Sequence, residues 1–197
     1  MNKKELALRL SKLKRLENYN LELEQYQTES ELAADLLWNI NLQDSIKGKI
    51  IADLGCGNGI FGVGCFLLKA KSVYFVDKDN LDIARNNCHC FKNAKFVNCD
   101  ILEFNKKVDV VIMNPPFGVQ KRKADKSFLE TAMKISRKIY SIHKIESKKF
   151  IEKLCRDNNF AVNYIMKFKF PLRRSYKFHK KERYYVDVGL WCIEKLK

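Results

Sequence analysis

The sequence predicts an α/β fold: a doubly wound, mostly parallel sheet of seven strands, closed by an antiparallel C-terminal strand pair and preceded by N-terminal helices. Three observations carry that expectation. From residue 50 onward, short β-branched runs alternate with helical segments on short connections, the pattern of strands joined by crossover helices. The first run enters a glycine-rich turn that opens directly into an apolar helical segment, "ADLGCGNGIFGVG" (Ala52–Gly64). The chain then ends in two long runs, "FAVNYIMKFKF" and "RYYVDVGLWCIEKL", that read as a closing antiparallel pair.

Taken in order, Leu6, Leu10, Leu13 and Leu16 recur at helical spacing between lysines, which predicts a helix over residues 3–17. Leu32, Ala33, Leu36, Leu37 and Ile40 form one face of a second helix over Glu29–Ile40. "KIIADL" is the first strand and "IFGVGCFLLKA" the helix that follows the turn. "SVYFVD" and "NLDIARNNCHCF" repeat the strand and helix; "AKFVNCD" is a third strand and "VDVVIMN" a fourth. Phe128, Leu129, Ala132, Ile135 and Ile139 mark a helix over 126–140, "YSIHK" is a short fifth strand, and Ser147–Asn158 is helical. The expectation is one domain over 1–197, with a helical lid segment (1–45) on a doubly wound core (48–197). A chain of 197 residues suffices for one well-buried α/β domain and divides poorly into two.

Hydrophobic residues make up 46% of the chain and only three prolines and eight glycines interrupt them, a globular composition. No apolar run approaches a membrane span, and "MNKKELALRLSKLKRLENYN" is charged rather than signal-like, so no membrane role and a cytoplasmic location are expected. The seven cysteines include no C-x-x-C pair. Cys88-His89-Cys90 with Cys99 is poorly spaced for tetrahedral ligation, so no metal site is expected and the thiols read as reduced, small core residues. The net charge of +15 is lopsided: residues 1–120 hold 16 Lys/Arg against 15 Asp/Glu, residues 121–197 hold 22 against 8. A basic half beside a neutral one favours a polyanion docking on one side.

The turn Asp53-Leu54-Gly55-Cys56-Gly57-Asn58-Gly59 falls where the first strand becomes a helix. Glycines there allow backbone angles closed to other residues and let a ligand approach the main chain. A pyrophosphate fingerprint needs glycine where Ile60 stands, which disfavours NAD, and the absence of a Lys-Ser/Thr ending excludes a triphosphate P-loop. Asp77 ends the second strand, 22 residues past Gly55, where a carboxylate can accept both hydroxyls of a ribose. Asp100 ends the third, placed to accept from an adenine amine, with the Ile101 N–H in reach of a ring nitrogen. Any one of these acids alone reads as a helix cap. Together they fit a nucleoside without phosphates that carries an amino-acid tail, and S-adenosyl-L-methionine (SAM) is such a ligand.

The fourth strand runs into "VIMNPPFG" (Val111–Gly118). Neither proline can donate a hydrogen bond and each fixes its own φ, so the strand stops abruptly. The fourth strand is expected beside the first, which turns Asn114 toward a methyl donor. An exocyclic amine on a base is a poor nucleophile because its lone pair is delocalised. The Asn114 side-chain oxygen and the Pro115 carbonyl would hold its two N–H groups and stabilise the positive charge as it forms. Pro116 helps keep that carbonyl rigid, and Phe117 stacks on a base drawn out of its helix. No titrating base is needed, so structural or RNA-contacting roles are expected for His143 and His179.

On these motifs the chain resembles the archaeal and eukaryotic METTL group of adenine-N6 methyltransferases that modify small-subunit ribosomal RNA. "LEQYQT" (Leu23–Thr28), "ADLGCGNG", "VIMNPPFG", "IYSIHK" (Ile139–Lys144) and "SYKFHKK" (Ser175–Lys181) fall in that family's order and spacing. NPPF is shared with DNA and protein methyltransferases and identifies only the chemistry; the C-terminal motif is more specific. One departure is Gln27, where the family usually carries proline. The resemblance implies a class I SAM-dependent methyltransferase (Rossmann-like) fold, with Gln25 and Thr28 enclosing the cofactor beside Asp53, Gly55, Gly57, Asn58, Gly59, Ile60, Asp77, Asp100, Ile101 and Asn114. It also implies a small zinc-binding activator protein as heterodimer partner.

"FKFPLRRSYKFHKKERYY" (Phe168–Tyr185) interleaves cations and aromatics, the mixture that meets phosphates and unstacked bases. Arg173, Arg174, Lys177, Lys180 and Lys181 are the candidates for RNA backbone contacts, with Lys121, Arg122 and Lys123 opposite them; Tyr176 and Phe178 alternate at strand spacing and read as core. The expected activity is methyl transfer to the N6 amine of an adenosine in small-subunit ribosomal RNA. Two alternatives stand beside it. A protein glutamine-N5 methyltransferase also attacks a planar amide nitrogen but has little use for the basic flank. A non-catalytic RNA-binding or ribosome-assembly protein that only holds SAM would be expected to show a damaged NPPF or a missing Asp77.

Overall fold

The computed structural model describes residues 1–16, 28–79, 81–116, 124–173 and 183–196. Its strands form one sheet. β1 (Ile50–Leu54), β2 (Ser72–Asp77), β3 (Ala94–Asn98), β4 (Val110–Met113) and β5 (Lys138–Lys144) are parallel. β7 (Arg183–Lys195) inserts antiparallel between β5 and β6 (Phe160–Arg173), giving the order β3-β2-β1-β4-β5-β7-β6. The chain builds outward from β1 through β2 to β3 and then crosses to β4 on the other side of β1. A crevice opens at such a reversal, outside the carboxyl ends of β1 and β4.

Strand side chains alternate between two faces, and both faces are covered. Ile51, Phe75, Ile112, Tyr140 and Leu190 pack with α1 (Lys3–Leu10), α2 (Ser30–Asp44) and α3 (Ile60–Leu67). Ala52, Leu54, Val111, Met113, Ile139 and Trp191 pack with α5 (Ala124–Ile135) and α6 (Lys148–Asp157) on the other. Burial on both faces is why β4 is apolar at all four positions, with no polar alternation. The short α4 (Asp82–Asn87) follows β2 and packs Ala84 into the first of these cores. Among the described residues, no helix is long and apolar enough to cross a membrane.

Two of the element boundaries that differ from expectation have a local cause. The predicted helix over 126–140 stops at Ile135, because the Ser136 hydroxyl bonds the Asp109 and Lys138 carbonyls and turns the chain. Ile139 then pairs with Val111 as part of β5. Its apolar side chain suits either period, and the neighbouring strand decides. The N-terminal helix ends at Leu10 rather than near residue 17; the Ser11 hydroxyl bonds the Leu8 carbonyl, a local competitor to helix propagation.

The cysteines are free thiols, with Cys56, Cys65, Cys88, Cys155 and Cys192 buried as expected. Burial pushes the Cys88 thiol up to about 12. Cys90 is exposed and Cys99 half-buried, since the turn after α4 and the end of β3 lie at the surface.

The β6–β7 hairpin extends past the rest of the sheet. Lys144 at the end of β5 pairs with Val188, and Val188 with Phe168. The pairs from Lys169–Asp187 to Arg173–Arg183 therefore continue beyond β5, on the side where the parallel strands end. At ~3.3 Å per residue this amounts to roughly 15 Å. Tyr176 and Phe178, expected in the core, lie outside the described residues.

Candidate active site

The turn after β1 is shaped by three glycines with left-handed backbone: Gly55 at φ 68°, Gly57 at 52° and Gly59 at 81°. A Cβ is strained at each. The Gly55 and Cys56 N–H groups both donate to the Val76 carbonyl, at 2.8 and 3.1 Å, which moors the turn to the end of β2. Asp77 completes that mooring. Its Oδ2 accepts from the Gly57 N–H at 2.9 Å and its Oδ1 from the Asp79 N–H at 3.1 Å. An ionised carboxylate has about four lone-pair directions, of which the described residues take about two, leaving room for a vicinal diol.

Asp53 lies beneath the turn, 1% exposed, with its Oδ2 accepting from the Gly62 N–H at 2.9 Å in the first turn of α3. Burial pushes its carboxyl up to about 8; the Gly62 N–H opposes that shift and the charge on Asp77 adds to it. Asp100 follows β3 and caps the helical turn Ile101–Glu103 by accepting from the Leu102 N–H at 3.0 Å, with Ile101 buried beside it. The capping geometry thus uses one carboxylate oxygen and leaves the side chain at the surface.

Asn114 immediately follows β4, one residue past the Leu54–Met113 pair that sets β4 against β1. Its Nδ2 donates to the Thr28 hydroxyl at 3.2 Å, and Thr28 is itself buried. The Asn114 Oδ1 is buried and has no partner among the described residues. Leaving an acceptor in that condition costs about 1–3 kcal/mol, and an incoming N–H would recover it. Pro115 is buried and Pro116 half-buried. Thr28, expected against a cofactor, is thereby placed on the amide of Asn114. Gln25, Phe117, Lys121, Arg122, Lys123, Arg174, Lys177, Lys180 and Lys181 lie outside the described residues. Arg173 ends β6 at the projecting part of the hairpin.

His143 is 2% exposed, with its Nε2 2.6 Å from the Ser141 hydroxyl, and the Trp191 indole N–H donates to its carbonyl at 3.3 Å. Burial pushes the imidazole down to about 3, so it is neutral at physiological pH. Among the described residues no three His, Cys, Asp or Glu side chains gather as a metal site. Sequence reasoning missed Asn87, at the end of α4, which hydrogen-bonds Asn58 of the glycine turn and the distant Lys14. Nothing in the local sequence marks it, because an asparagine at a helix end reads as surface.

Asp53 and His143 bend stability with pH in opposite directions. A carboxyl raised from 3.8 to about 8 contributes fully below 3.8, and that contribution is lost as pH climbs to about 8. An imidazole lowered from 6.5 to about 3 loses stability as pH falls from 6.5 toward 3. The slopes offset one another between 3.8 and 6.5, and Asp53 acts alone above that. Between pH 6.5 and 8 the loss attributable to Asp53 is on the order of 2 kcal/mol. Asp53→Asn keeps an acceptor for Gly62 and should flatten that limb. Denaturant midpoints at the two pH values check this, and identical slopes for both proteins would count against Asp53 as the source.

A sheet in this order, with its last pair reversed and a glycine turn at the switch point, is the class I methyltransferase architecture. At 14% identity the fold is also that of magnesium protoporphyrin IX methyltransferase from Synechocystis PCC 6803, solved with bound SAM (TM-score 0.66, covering 99% of this chain and 98% of that one). The family model for the methyltransferase small domain matches residues 27–140. The chain is 37% identical over 199 residues to rRNA N(6)-adenosine-methyltransferase METTL5 of Danio rerio, covering 95% of this chain and 96% of that one. It is 40% identical to the protein PH1948 of Pyrococcus horikoshii, whose crystal structure covers 100% of this chain and 99% of its own at a TM-score of 0.93. The chain belongs to the methyltransferase family of these last two proteins, the one its motifs resemble.

Proposed function

We propose that the protein transfers the methyl group of SAM to N6 of an adenosine in small-subunit ribosomal RNA. The observation that carries this reading is the buried Asn114 Oδ1 beside the β1–β4 crevice, without a partner among the described residues. An exocyclic amine supplies the N–H that this oxygen lacks. SAM, when bound, supplies an electrophilic methyl on a sulfonium. The open lone pairs of Asp77 suit a ribose diol, and the glycine turn gives the ligand a close approach to main chain. Asn114 Oδ1 and the Pro115 carbonyl hold the two amine hydrogens, so charge that develops on nitrogen meets two fixed acceptors. The nitrogen forms its bond to the methyl carbon as the carbon–sulfur bond breaks, and the resulting ammonium loses a proton to water. Phe117 stacks on the base.

RNA as the substrate is supported by the name of the zebrafish relative, by the +14 excess in residues 121–197 and by the hairpin that projects on the catalytic side. Arg173, Arg174, Lys177, Lys180 and Lys181 contact phosphates from that hairpin, and Lys121, Arg122 and Lys123 from the segment after NPPF. A cytoplasmic location is part of the same proposal. The partner is a small zinc-binding activator. β3 is one of the two edge strands of the sheet, its outer side available for strand addition, and Leu102 nearby is 63% exposed.

The test is to incubate the protein with methyl-labelled SAM and, separately, purified small-subunit rRNA and a protein release factor. Nucleosides and peptides are then analysed by mass spectrometry. Labelled N6-methyladenosine is expected from the RNA. Label on a glutamine, or on neither substrate with the activator present, would overturn the assignment.

A further inference from the structure

The N-terminal arm is fastened to the glycine turn by two asparagine side chains, one of which, Asn87, belongs to neither. Asn87 Oδ1 accepts from the Lys14 N–H at 2.9 Å, while its Nδ2 donates to the Lys14 carbonyl at 3.1 Å and to the Asn58 carbonyl at 2.9 Å. The Asn58 side chain closes the loop by donating its own Nδ2 to the same Lys14 carbonyl at 3.1 Å. Two asparagines thus share one carbonyl of the arm, and the amide of Asn87 satisfies three main-chain groups. Leu16 continues the contact: its Cδ1 lies 3.6 Å from where a Cβ on Gly57 would stand. Leu6 and Leu10 anchor the other end of the arm in the core.

Asn58 sits between two glycines of left-handed backbone, in a turn otherwise moored to Val76 and Asp77 and closed by the Gly59 N–H on the Cys56 carbonyl, so without this arrangement its own carbonyl is held less firmly. We infer that Asn87 is a positioning residue for the cofactor: it holds the Asn58 carbonyl and docks the arm so that the turn is preformed for SAM. Preforming a loop raises affinity by removing the entropy of ordering it on binding. The inference rests on the SAM assignment above. It is independent of which amine receives the methyl.

The test compares Asn87→Ala and Asn87→Asp with the natural protein, measuring SAM binding by calorimetry and KM and kcat with labelled SAM. Asn87→Asp keeps the volume and the acceptor for Lys14 but can donate to neither carbonyl. Its carboxylate oxygen faces both carbonyl oxygens and repels them, and the alanine variant, which adds no charge, is the control for that effect. Both variants are expected to bind SAM about tenfold more weakly, equivalent to ~1.4 kcal/mol. KM for SAM should rise to match, while kcat at saturating SAM and RNA affinity stay within about twofold of the natural protein. Thermal melts with and without saturating SAM separate a merely structural role: variants that melt lower yet keep the full SAM-induced shift would overturn the inference. So would a SAM affinity unchanged in both variants. Natural protein that fails to bind SAM at all would overturn the cofactor assignment itself.

Discussion

Asn114→Ala lowers kcat for methyl transfer by roughly a hundred- to a thousandfold, the loss seen when one fixed group facing developing charge is removed. SAM affinity changes little, because Asn114 is one of many residues expected around the cofactor and most of the others lie in the glycine turn and at the acidic strand ends. The reason lies in the amide's two halves. Nδ2 is engaged by the Thr28 hydroxyl, which fixes the plane of the group. Oδ1 is buried without a partner among the described residues and is the half available to a substrate N–H. Alanine removes both. Asn114→Asp keeps an acceptor but cannot donate to Thr28, so it should fall between alanine and the natural residue. Thr28→Val, which leaves Nδ2 without its acceptor, should cost less than Asn114→Ala. Single-turnover rates at saturating SAM and RNA measure the series, and full activity in the alanine variant would remove the mechanism.

Gly62→Ala unfolds the protein at a markedly lower temperature. A Cβ built at Gly62 lies 2.1 Å from the Phe75 Cε1 and 2.5 Å from its Cζ. Phe75 cannot retreat: it is fully buried, stacked on Phe96 at 5.0 Å between ring centroids, with Phe66 tilted against it at 6.3 Å. The helix cannot back away cheaply either, because the Gly62 N–H is bonded to the buried Asp53. Overpacking of this kind costs about 3 kcal/mol or more, which for a chain of this size lowers Tm by roughly 6–12 °C. A second change, Phe75→Leu, vacates the ring edge and should recover part of the loss in the double variant. Coupling between two contacting residues is what a double-mutant cycle reads. A Gly62→Ala Tm within about two degrees of the natural protein would contradict this packing.

Both predictions draw on features that were unequally legible. β2 was readable to the residue, because "SVYFVD" is a β-branched and aromatic run flanked by polar residues. The glycine turn was readable because glycine adopts without strain the left-handed backbone found at Gly55, Gly57 and Gly59. The helix over 126–140 was misjudged because Ile139 fits a helical stripe as well as a strand, and only its pairing with Val111 resolves the choice. The arm's early end at Leu10 was hidden for a similar reason. Leu13 and Leu16 keep helical spacing, yet Leu13 packs against the core and Leu16 meets Gly57 without belonging to the helix.

By itself the sequence determined the alternation of strands and helices, the turn at residues 53–59, the acids at strand ends and the asparagine before two prolines. These are local properties, set by side-chain periodicity and by which backbone angles a residue allows. Only the tertiary structure decided that Asn114 is held by Thr28, that Asp53 lies under the turn, and that Asn87 joins Asn58 to Lys14. The Asn114 and Lys14 bonds link residues 86 and 73 positions apart. A hydrogen bond between distant segments depends on where the topology brings their backbones, and no residue pattern along the chain encodes that separation.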